Sequence, residues 1–478
     1  MKIKKKILFS IILILGIYVT LNFFIGNKKL VNFKNYFTDN QKNIIKEIFF
    51  PHKKIKELKK TVDNLSKKNK ELYLREKRMR LSNELDLRNN LEVINFQLDK
   101  KSNKIFKISN KPIEYLKYNS KTKFYFGINN YNEGSHASFY VDKFENNLFI
   151  LSSFGILAHT NFPNVNETIK FTPIKTNLDS FLDSEDIVNG HLGSVSYKDI
   201  FIVDQKIYIS FTNKINKNCW NTSVLEGKIN YNYVSFEKFF EPKQCIDPFN
   251  MDDAFATLQS GGRIVEYNKN NILLSIGDYK NRSLAQDKNS IFGKVLKINL
   301  INKDYKIVSM GHRNIQGLYY DKKKDYMIMT EHGPKGGDEI NINKNPLTTL
   351  KNYGWPISSY GDHYGNTESN IYKFRVDKYP LRKSHKKYNF EEPIKYFNPS
   401  IAPSEVVKIN ENKFVIGSMK NNYLYFLELD SDLKLKNLQN IELSERIRDL
   451  NYDKKSNILF LTLEKTPSLA IIDLNNFN

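Results

Sequence analysis

The sequence predicts an all-β fold, a six-bladed β-propeller, from three observations. Beyond roughly residue 110 the chain consists of short, alternating apolar runs separated by turn residues, with no convincing long helix. Several of these runs resemble one another and recur at spacings of about 45 to 90 residues. The domain from 110 to 478 has room for six blades at about 60 residues each. A β-sandwich is the competing all-β architecture.

Each repeated unit is a strand, a polar turn and a second strand. The four clearest units are RIVEYNKNNILLSIGD from Arg263, GLYYDKKKDYMIMTEHG from Gly317, EVVKINENKFVIGSMKN from Glu405 and DLNYDKKSNILFLTLEK from Asp449. The segment from about 341 to 398 is an insertion between two units. A ring of such units protects the edges of its sheets, which favours the propeller.

The composition bears on the class of partner. With 40% hydrophobic and 13% aromatic residues, the chain can form a large globular core. The net charge of +22 is compatible with a nucleic acid or an anionic membrane as partner. Lysine is abundant along the whole chain, however, and no dense basic stripe is interleaved with aromatic residues. We therefore expect no nucleic-acid partner.

Residues 1–28 form a predicted transmembrane signal anchor. An apolar run of 19 residues from Ile7 to Ile25 is about long enough to cross a bilayer as a helix. A cleaved signal peptide would more often have a shorter run and a small-x-small site, which is not found. Four basic residues precede the run: Lys2, Lys4, Lys5 and Lys6. They predict a cytoplasmic N-terminus, although Lys28 and Lys29 weaken the asymmetry. The propeller is then expected in the periplasm, held by a single pass through the bacterial inner membrane.

A helical stalk is predicted over residues 40–105. Apolar residues follow a 3-4 rhythm at Ile55, Leu58, Val62, Leu65, Leu72 and Met79, with Asn69 and Glu76 at intervening core positions. This heptad pattern indicates a coiled-coil homo-oligomer, in which a buried Asn fixes the register. A solvated, lysine-rich helix that never pairs is the alternative. The pattern slips near Leu85, and we expect the helix to continue toward Leu98 in a different phase.

The chain has two cysteines, Cys219 and Cys245, both in the part predicted to be exported. In an oxidising compartment they could bridge two neighbouring strands. Two unrelated buried thiols are the alternative interpretation.

Polar residues of the repeats are expected to converge on one face of the ring. In an antiparallel strand pair, the start of the first strand and the end of the second lie at the same end. Arg313 should therefore lie near His332, and the segment 399–404 near Lys420. Arg446 and Arg448 open the last unit on one face of a strand. These four cations require a polyanionic ligand or buried acids, for which Asp278, Asp338 and Asp449 are the candidates.

Five motifs, GHRNIQGL, TEHGPKGGDEIN, KNYGWPISSYG, PSIAPS and ERIRDL, carry a resemblance over roughly residues 180–478. Together they resemble the soluble quinoprotein sugar dehydrogenases, the glucose/sorbosone dehydrogenase family. That family consists of six-bladed propellers that use pyrroloquinoline quinone (PQQ) and calcium. The resemblance therefore implies the same fold and both cofactors.

The resemblance also implies roles for individual residues. Arg313 and Asn314 would lie at the quinone oxygens, and Lys420, Arg446 and Arg448 would bind the three carboxylates of PQQ. Ser400 and His332 would be neighbours of the cofactor. The backbone carbonyls of Gly333 and Pro334 would bind Ca²⁺. Asp278 and Asp338 would be partners of Arg313.

The sequence departs from the family pattern at the catalytic base. The family moves a hydride from the anomeric carbon of an aldose to the quinone while a histidine takes the hydroxyl proton. That histidine lies four residues before the arginine of the GGRIVEY motif, where this chain has Gln259. An amide cannot take a proton near neutral pH, and loss of a general base costs a factor of about 10² to 10⁴ in rate. His191, in NGHLGSVSY, is a candidate substitute.

We therefore expect a membrane-anchored, periplasmic, PQQ- and calcium-dependent sugar dehydrogenase that passes electrons to a respiratory acceptor. The alternative is an inactive propeller that binds PQQ, a sugar or a protein partner; the Gln259 position favours it. The cations retained around the channel favour the enzyme. The sequence leaves open which sugar is the substrate, because the loops have no readable code.

Overall fold

The computed structural model describes residues 52–121, 138–162, 167–182, 196–250, 252 and 254–475. Its first element is a helix of 38 residues, α1 (His52–Asn89). Four residues of the predicted heptad seam, Val62, Leu65, Leu72 and Met79, are more than half exposed in the single chain. Within the described residues, neither α-helix has both the length and the apolarity needed to cross a membrane. The predicted anchor, residues 1–28, lies outside the described residues.

The helix ends earlier than the heptad analysis predicts. The stretch that was expected to continue it toward Leu98 ends in a strand, β1 (Ile94–Leu98), and the end of the predicted stalk, residues 40–105, overlaps a second strand, β2 (Lys104–Ile108). In β1, Ile94 and Phe96 are fully buried while their neighbours are more accessible. This alternation has the period of a strand, which explains why the helix stops. The sheets therefore begin well before residue 110.

In the described residues the strands form five hydrogen-bonded sheets, and the largest, with 11 strands, consists of two four-stranded units joined through β1. Counting those two units separately gives six four-stranded sheets with a few short additions. The first sheet contains β4 (Phe139–Phe144), β5 (Asn147–Ser152), β6 (Leu157–Asn161) and β7 (Thr168–Thr176). The second contains β8 (Tyr197–Val203), β9 (Lys206–Asn216), β10 (Cys219–Lys228) and β12 (Phe236–Phe240), while the short β11 (Tyr233–Val234) pairs with β7. The third contains β13 (Gly261–Asn268), β14 (Asn271–Ile276), β15 (Lys294–Asn299) and β16 (Tyr305–Met310), extended by β20 (Lys351–Asn352).

The fourth sheet contains β17 (Ile315–Asp321), β18 (Tyr326–Glu331), β19 (Asp338–Lys344) and β21 (Lys395–Phe397). The fifth contains β22 (Pro403–Lys408), β23 (Lys413–Ser418), β24 (Tyr423–Leu429) and β25 (Leu435–Glu442). The sixth contains β26 (Ile447–Asp453), β27 (Ile458–Leu463), β28 (Ser468–Asp473) and, from the other end of the chain, β3 (Lys111–Ser120). The insertion between β20 and β21 carries a helix, α2 (Asn370–Lys378).

The six sheets are arranged in a ring. The first strand of each sheet contacts the first strand of the next, in the order β4, β8, β13, β17, β22, β26, and β26 contacts β4 again. At the seam, β28 pairs with β3, and β1 pairs with both β3 and β7. This all-β arrangement is consistent with the predicted six-bladed propeller. We call the six first strands the inner strands.

Apolar side chains fill the space between neighbouring sheets. One cluster joins the fifth and sixth sheets through Val415, Leu424, Leu459 and Leu461, all fully buried. Such face-to-face packing holds each blade against the next and leaves the inner strands to line a central channel.

Arg263, on β13, joins four inner strands across the channel. Its Nη1 donates to Asp199 on β8 and to Asp449 on β26, each at 2.7 Å, and its Nε lies 2.5 Å from a carboxylate oxygen of Glu405 on β22. All four side chains are less than one-tenth exposed. Asp449 was a candidate partner of the site arginines, but the structure pairs it with Arg263.

The same acids also bind the backbone of the next inner strand. Asp199 accepts from the amide of Ile264 at 2.7 Å, and Asp449 accepts from the amide of Val141 at 2.8 Å. Asp142 of β4 accepts from the amide of Ile202 at 2.7 Å. Each carboxylate thus satisfies a strand amide of its neighbour, which closes the ring with polar contacts. We call Asp142, Asp199, Glu405 and Asp449, with Arg263, the acidic belt.

The two cysteines form a disulfide. Cys219, at the start of β10, is bonded to Cys245, and their Cα atoms lie 5.1 Å apart. The neighbouring residues Trp220 and Ile246 also form a β-bridge. Of the two interpretations left open by the sequence, the structure supports the bridged pair.

Candidate active site

The predicted site residues lie at one end of the ring. Most of them precede an inner strand or follow the second strand of a blade, while Asp338 begins β19 and Arg448 is the second residue of β26. Those that the structure describes are Gln259, Asp278, Arg313, Asn314, His332, Gly333, Pro334, Asp338, Ser400, Lys420, Arg446 and Arg448. His191, the candidate substitute base, lies outside the described residues.

Arg313 is at the centre of the site, immediately before β17. Its Nη1 donates to the backbone carbonyl of His332 at 2.9 Å, which confirms the predicted proximity of these residues. Its guanidinium lies 5.6 Å from the ring centre of Trp355, a cation–π contact. The side chain is 9% exposed, so it is held in a fixed orientation at the edge of the channel.

Gln259, where the resemblance implies a histidine, bridges Arg313 and Asp278. With its amide oxygen toward the arginine, it accepts from Arg313 Nη2 at 2.7 Å and donates to Asp278 Oδ1 at 3.0 Å. The opposite amide orientation would place acceptor against acceptor and donor against donor. Gln259 therefore completes a hydrogen-bonded chain, and the amide supplies no proton acceptor of the strength of a histidine.

Asp278 lies behind Gln259 and is fully buried. Its Oδ2 accepts from Trp355 Nε1 at 2.8 Å, and its Oδ1 accepts from the amide of Lys280 at 2.8 Å. Burial raises the pKa of Asp278, although Arg313 opposes the shift. Asp278 thus reaches Arg313 through Gln259. Trp355, which supports both ends of this chain, was not singled out from the sequence.

Asn314 has a local structural contact that the sequence does not indicate. Its Oδ1 accepts from the backbone amide of Gly261 at 3.1 Å and from Gln316 Nε2 at 3.0 Å. Because the side chain is only 2% exposed, these bonds fix it between β13 and β17. Its implied position at a quinone oxygen remains a prediction.

His332 is a neutral imidazole at ordinary pH. Burial and the nearby Arg313 lower its pKa to about 3. Its Nε2 lies 3.0 Å from the carbonyl of Pro403, a geometry in which the neutral ring donates from Nε2 and keeps Nδ1 as acceptor. With so low a pKa, His332 is a weak base, in agreement with its predicted place as a cofactor neighbour.

The turn from His332 to Asp338 is closed by backbone contacts. Asp338 accepts from the amides of Gly333 at 2.8 Å and of Ile401 and Ala402 at 2.7 Å each. Three backbone amides thus bind the Asp338 carboxylate, and its interaction with Arg313 is one of charge: burial raises the pKa of Asp338, and Arg313 opposes the shift. A Cβ at position 333 would meet the carbonyl of Gly337 at 2.1 Å, so this turn requires glycine.

The carbonyls of Gly333 and Pro334 remain available in this turn. Within the described chain no hydrogen bond ends on the Gly333 carbonyl, and the Pro334 carbonyl has only a long contact of 3.5 Å from Ser400 Oγ. Ser400 Oγ in turn accepts from the amide of Gly336 at 3.0 Å. Among the described residues, no group of three or more His, Cys, Asp or Glu side chains could hold a metal ion. A cation here would have to use carbonyl oxygens.

Arg446 and Arg448 share one carboxylate, that of Glu464. Arg446 Nε donates to Glu464 at 3.1 Å, Arg448 Nε donates to its other oxygen, and Ser138 Oγ also donates to it. Burial opposes ionisation, but the two arginines hold the pKa of Glu464 at about 2. Glu464 follows β27, the second strand of its blade. The antiparallel rule that places His332 and Lys420 at this face also places Glu464 there.

Several cationic donors at this face have no acceptor among the described residues. Lys420 is exposed; its backbone amide bonds to the Ile401 carbonyl at 3.0 Å, and its Nζ makes no ion pair there. Arg446 Nη1 donates to the Met419 carbonyl at 2.9 Å, and Arg448 Nη1 makes only a 3.4 Å contact with Gln316. The Nη2 atoms of both arginines bond to nothing in the described part of the chain. The site can therefore bind an anion with several carboxylates.

Two relatives with curated descriptions match part of the chain. The aldose sugar dehydrogenase YliI of Escherichia coli (strain K12) is 27% identical over 237 residues, which are 45% of this chain and 60% of that protein. The uncharacterized protein slr1608 of Synechocystis sp. (strain ATCC 27184 / PCC 6803 / Kazusa) is 28% identical over 243 residues, 45% of this chain and 55% of that protein. The chain thus matches little more than half the length of these relatives.

Solved structures match over more of the chain and show the fold. The apo form of the soluble aldose sugar dehydrogenase of Escherichia coli superimposes with a TM-score of 0.54 at 20% identity, covering 71% of this chain and 96% of that one. The PQQ-bound aldose sugar dehydrogenase of Streptomyces coelicolor gives a TM-score of 0.50 at 15% identity, covering 71% and 99%.

A family model also matches the chain. The model described as glucose / sorbosone dehydrogenase aligns with residues 168–470, more than half of the 478 residues. This range contains the site residues from Gln259 to Glu464 and all of the inner strands except β4. The chain therefore belongs to the glucose/sorbosone dehydrogenase family.

Proposed function

We propose that this protein is a PQQ- and calcium-dependent sugar dehydrogenase that oxidises the CH–OH group of an aldose at the cationic face of the ring. The observation that carries the proposal is the set of donors left over by Arg446, Arg448 and Lys420 after their contacts within the chain. A planar tricarboxylate such as PQQ matches such donors, since each carboxylate accepts charge-assisted hydrogen bonds.

The residues of the site have separate tasks in this proposal. PQQ, polarised by Ca²⁺, would supply the hydride acceptor. Arg446, Arg448 and Lys420 would bind its carboxylates, and Arg313, fixed by Gln259 and the Trp355 ring, would present its guanidinium to a quinone oxygen. The carbonyls of Gly333 and Pro334 would bind Ca²⁺, because Asp338 is already committed to three amides.

Two described side chains of the site, Gln259 and His332, are candidates for the proton acceptor. Gln259 cannot take the hydroxyl proton, and the pKa of His332, at about 3, makes it a poor base. Turnover would then be slow, or would depend on another group such as His191. Gln259 also supports a second candidate function, a propeller that binds PQQ or a sugar without turnover.

We further propose a membrane-attached, periplasmic location and a respiratory electron acceptor. The apolar run of residues 7–25 and the heptad seam of α1 support an anchor and a coiled-coil homo-oligomer. The exposure of Val62, Leu65, Leu72 and Met79 in the single chain is what such a seam requires before pairing.

The test uses the full-length protein in detergent, with PQQ and Ca²⁺ added. PQQ binding is followed by its absorbance, and turnover by aldose-dependent reduction of a dye. We expect saturable, Ca²⁺-dependent PQQ binding and slow reduction by the wild type. Gln259→His places an imidazole beside the buried Asp278 and should raise turnover about 10² to 10⁴-fold without tightening PQQ binding. Gln259→Asn, which keeps an amide, is the matched control and should stay slow.

Three outcomes separate the candidates. Absence of PQQ binding by the wild type rejects both of them. Binding without turnover, restored by Gln259→His, selects the inactive binding protein. Turnover by the wild type that Gln259→His leaves unchanged would mean that another base is already present.

A further inference from the structure

The start of β8 repeats the start of β26. β8 begins Tyr197-Lys198-Asp199 and β26 begins Ile447-Arg448-Asp449. In both strands the pairing register shifts after the first residue, so the second residue is the extra one of a β-bulge. Both third residues, Asp199 and Asp449, bind Arg263 in the acidic belt. Lys198 therefore occupies the position in its blade that Arg448 occupies in the sixth.

The Lys198 side chain crosses the beginning of β13. A Cβ added at Gly262 would lie 2.5 Å from Lys198 Cβ and 3.1 Å from its Cγ, and Gly262 has a φ of +114°. Only glycine leaves room for the lysine there. Gly262 is three residues beyond Gln259, so the lysine lies against the segment of chain that follows this site residue.

Lys198 has a positive neighbour and, among the residues that the structure describes, no acid that pairs with it alone. The charged groups acting on it are Arg448 and Glu464. Glu464 already accepts from Arg446, Arg448 and Ser138. No carboxylate of the described residues forms an ion pair with Lys198 Nζ. Burial, followed by Arg448, lowers the pKa of this amine to about 7.

We infer that Lys198 is a further ligand for a carboxylate of the anionic cofactor, acting together with Arg448 from the inner side of the site. This inference rests on the proposed function. An arriving carboxylate supplies the counter-charge that the chain does not provide in its described part, and an ammonium close to it is stabilised in its protonated form. The carboxylate-binding residues implied by the family resemblance, Lys420, Arg446 and Arg448, do not include this lysine.

The experiment compares ligand affinity with stability in the absence of ligand. Wild-type protein, Lys198→Met, Lys198→Arg and the control Lys206→Met are titrated with PQQ in excess Ca²⁺ by absorbance, and each is melted without PQQ. Lys206 lies on β9 with an exposed ion pair to Glu226. We expect Lys198→Met to weaken PQQ binding about 10- to 100-fold, because one charge-assisted hydrogen bond is lost. Lys198→Arg should recover most of the affinity, and Lys206→Met should change neither quantity.

The melting temperature is expected to move in the opposite direction. Replacing an uncompensated, desolvated amine by an apolar side chain of similar length should leave the ligand-free protein as stable as the wild type or more stable. A merely structural lysine would instead lower the melting temperature when it is removed, and that result overturns the inference. Wild-type affinity in Lys198→Met also overturns it while leaving the proposed function intact. Failure of the wild type itself to bind PQQ rejects both.

Discussion

The channel of this protein has two charged layers that differ in how their charges are balanced. In the acidic belt, Asp199, Glu405 and Asp449 converge on Arg263, and the acids also accept strand amides. At the site face, Arg446 and Arg448 share Glu464, and their Nη2 atoms have no partner in the described chain. The polar atoms of the first layer bond to one another and to strand amides, and because three acids face one guanidinium, burial raises the pKa of Asp199 to about 8 and keeps part of the acidic charge neutralised by protons. In the second layer, hydrogen-bond donors of the two arginines have no acceptor in the described chain. This difference distinguishes a structural charge cluster from a ligand site.

The largest effect is expected from Arg263→Met, which breaks the belt. Three buried carboxylates would lose their shared cation, and breaking a buried pair typically costs about 3–5 kcal/mol. The melting temperature of the purified protein should fall by many degrees, or the protein should fail to accumulate. A fall of less than about 1 kcal/mol in the free energy of unfolding would show that the contacts of the belt do not hold the ring of blades together.

The corresponding change at the site face, Arg448→Met, should act on the ligand. Glu464 keeps Arg446 and Ser138 as partners, so stability should change little. PQQ affinity, measured by absorbance titration, should fall about 10- to 100-fold because a charge-assisted contact is removed. Arg382→Met, at an exposed arginine stacked on Tyr388, is the control and should leave PQQ affinity unchanged. If Arg448→Met lost much stability but kept the wild-type PQQ affinity, the charges of the site face would be structural, as those of the acidic belt are.

The pH dependence of PQQ affinity is a further difference expected between the site face and the acidic belt. Burial and Arg448 lower the pKa of Lys198 to about 7, so above that pH the ligand must bind together with a proton. Affinity should be level below about pH 7 and should then fall with a slope approaching tenfold per pH unit. Titrations from pH 6 to 9 should show this fall in the wild type and a flatter profile in Lys198→Met. His332, with a pKa of about 3, does not titrate in this range.

The smallest effect is expected in the belt from Asp142→Asn. Burial raises the pKa of Asp142 to about 7, so the folded state binds a proton more tightly than the unfolded state does. This contribution to stability is present at low pH and is lost as pH rises from about 4 to about 7. Urea unfolding at pH 6.5 and pH 8 should show a pH difference smaller by less than about 1 kcal/mol in Asp142→Asn than in the wild type, because most of the contribution is already lost by pH 7. Asp304→Asn, at an exposed turn, should reproduce the wild-type difference.

Much of the fold and part of the site follow from the sequence alone. Period-two alternation and repeated units predict the sheets, and the antiparallel rule correctly places Arg313 beside His332. The end of α1 does not follow from the sequence, because the heptad pattern fades gradually. Ile94 and Phe96 alternate as in a strand, but two apolar residues are too few to predict one.

The belt could not have been predicted, because its contacts join residues far apart in the chain. Arg263 binds Asp199, Glu405 and Asp449, which lie on three other blades, and no local pattern encodes which of them cross the channel. Gln259 is visible in the sequence, whereas its bridge between Asp278 and Arg313 depends on the orientation of an amide. Local patterns thus predict which residues share a face, and packing decides their partners.

The pairing of β3 with β28 has a consequence for synthesis of the chain. At roughly 5–20 residues per second, on the order of 20 to 70 s separate the emergence of one strand from that of the other. During that interval β3 is an open edge that could pair with another chain. The part of β3 that pairs with β28, residues 114–119, contains the charged residues Glu114 and Lys117, and charged side chains discourage such pairing. The charged side chains of β3 therefore protect an edge that stays unpaired until β28 has been synthesised.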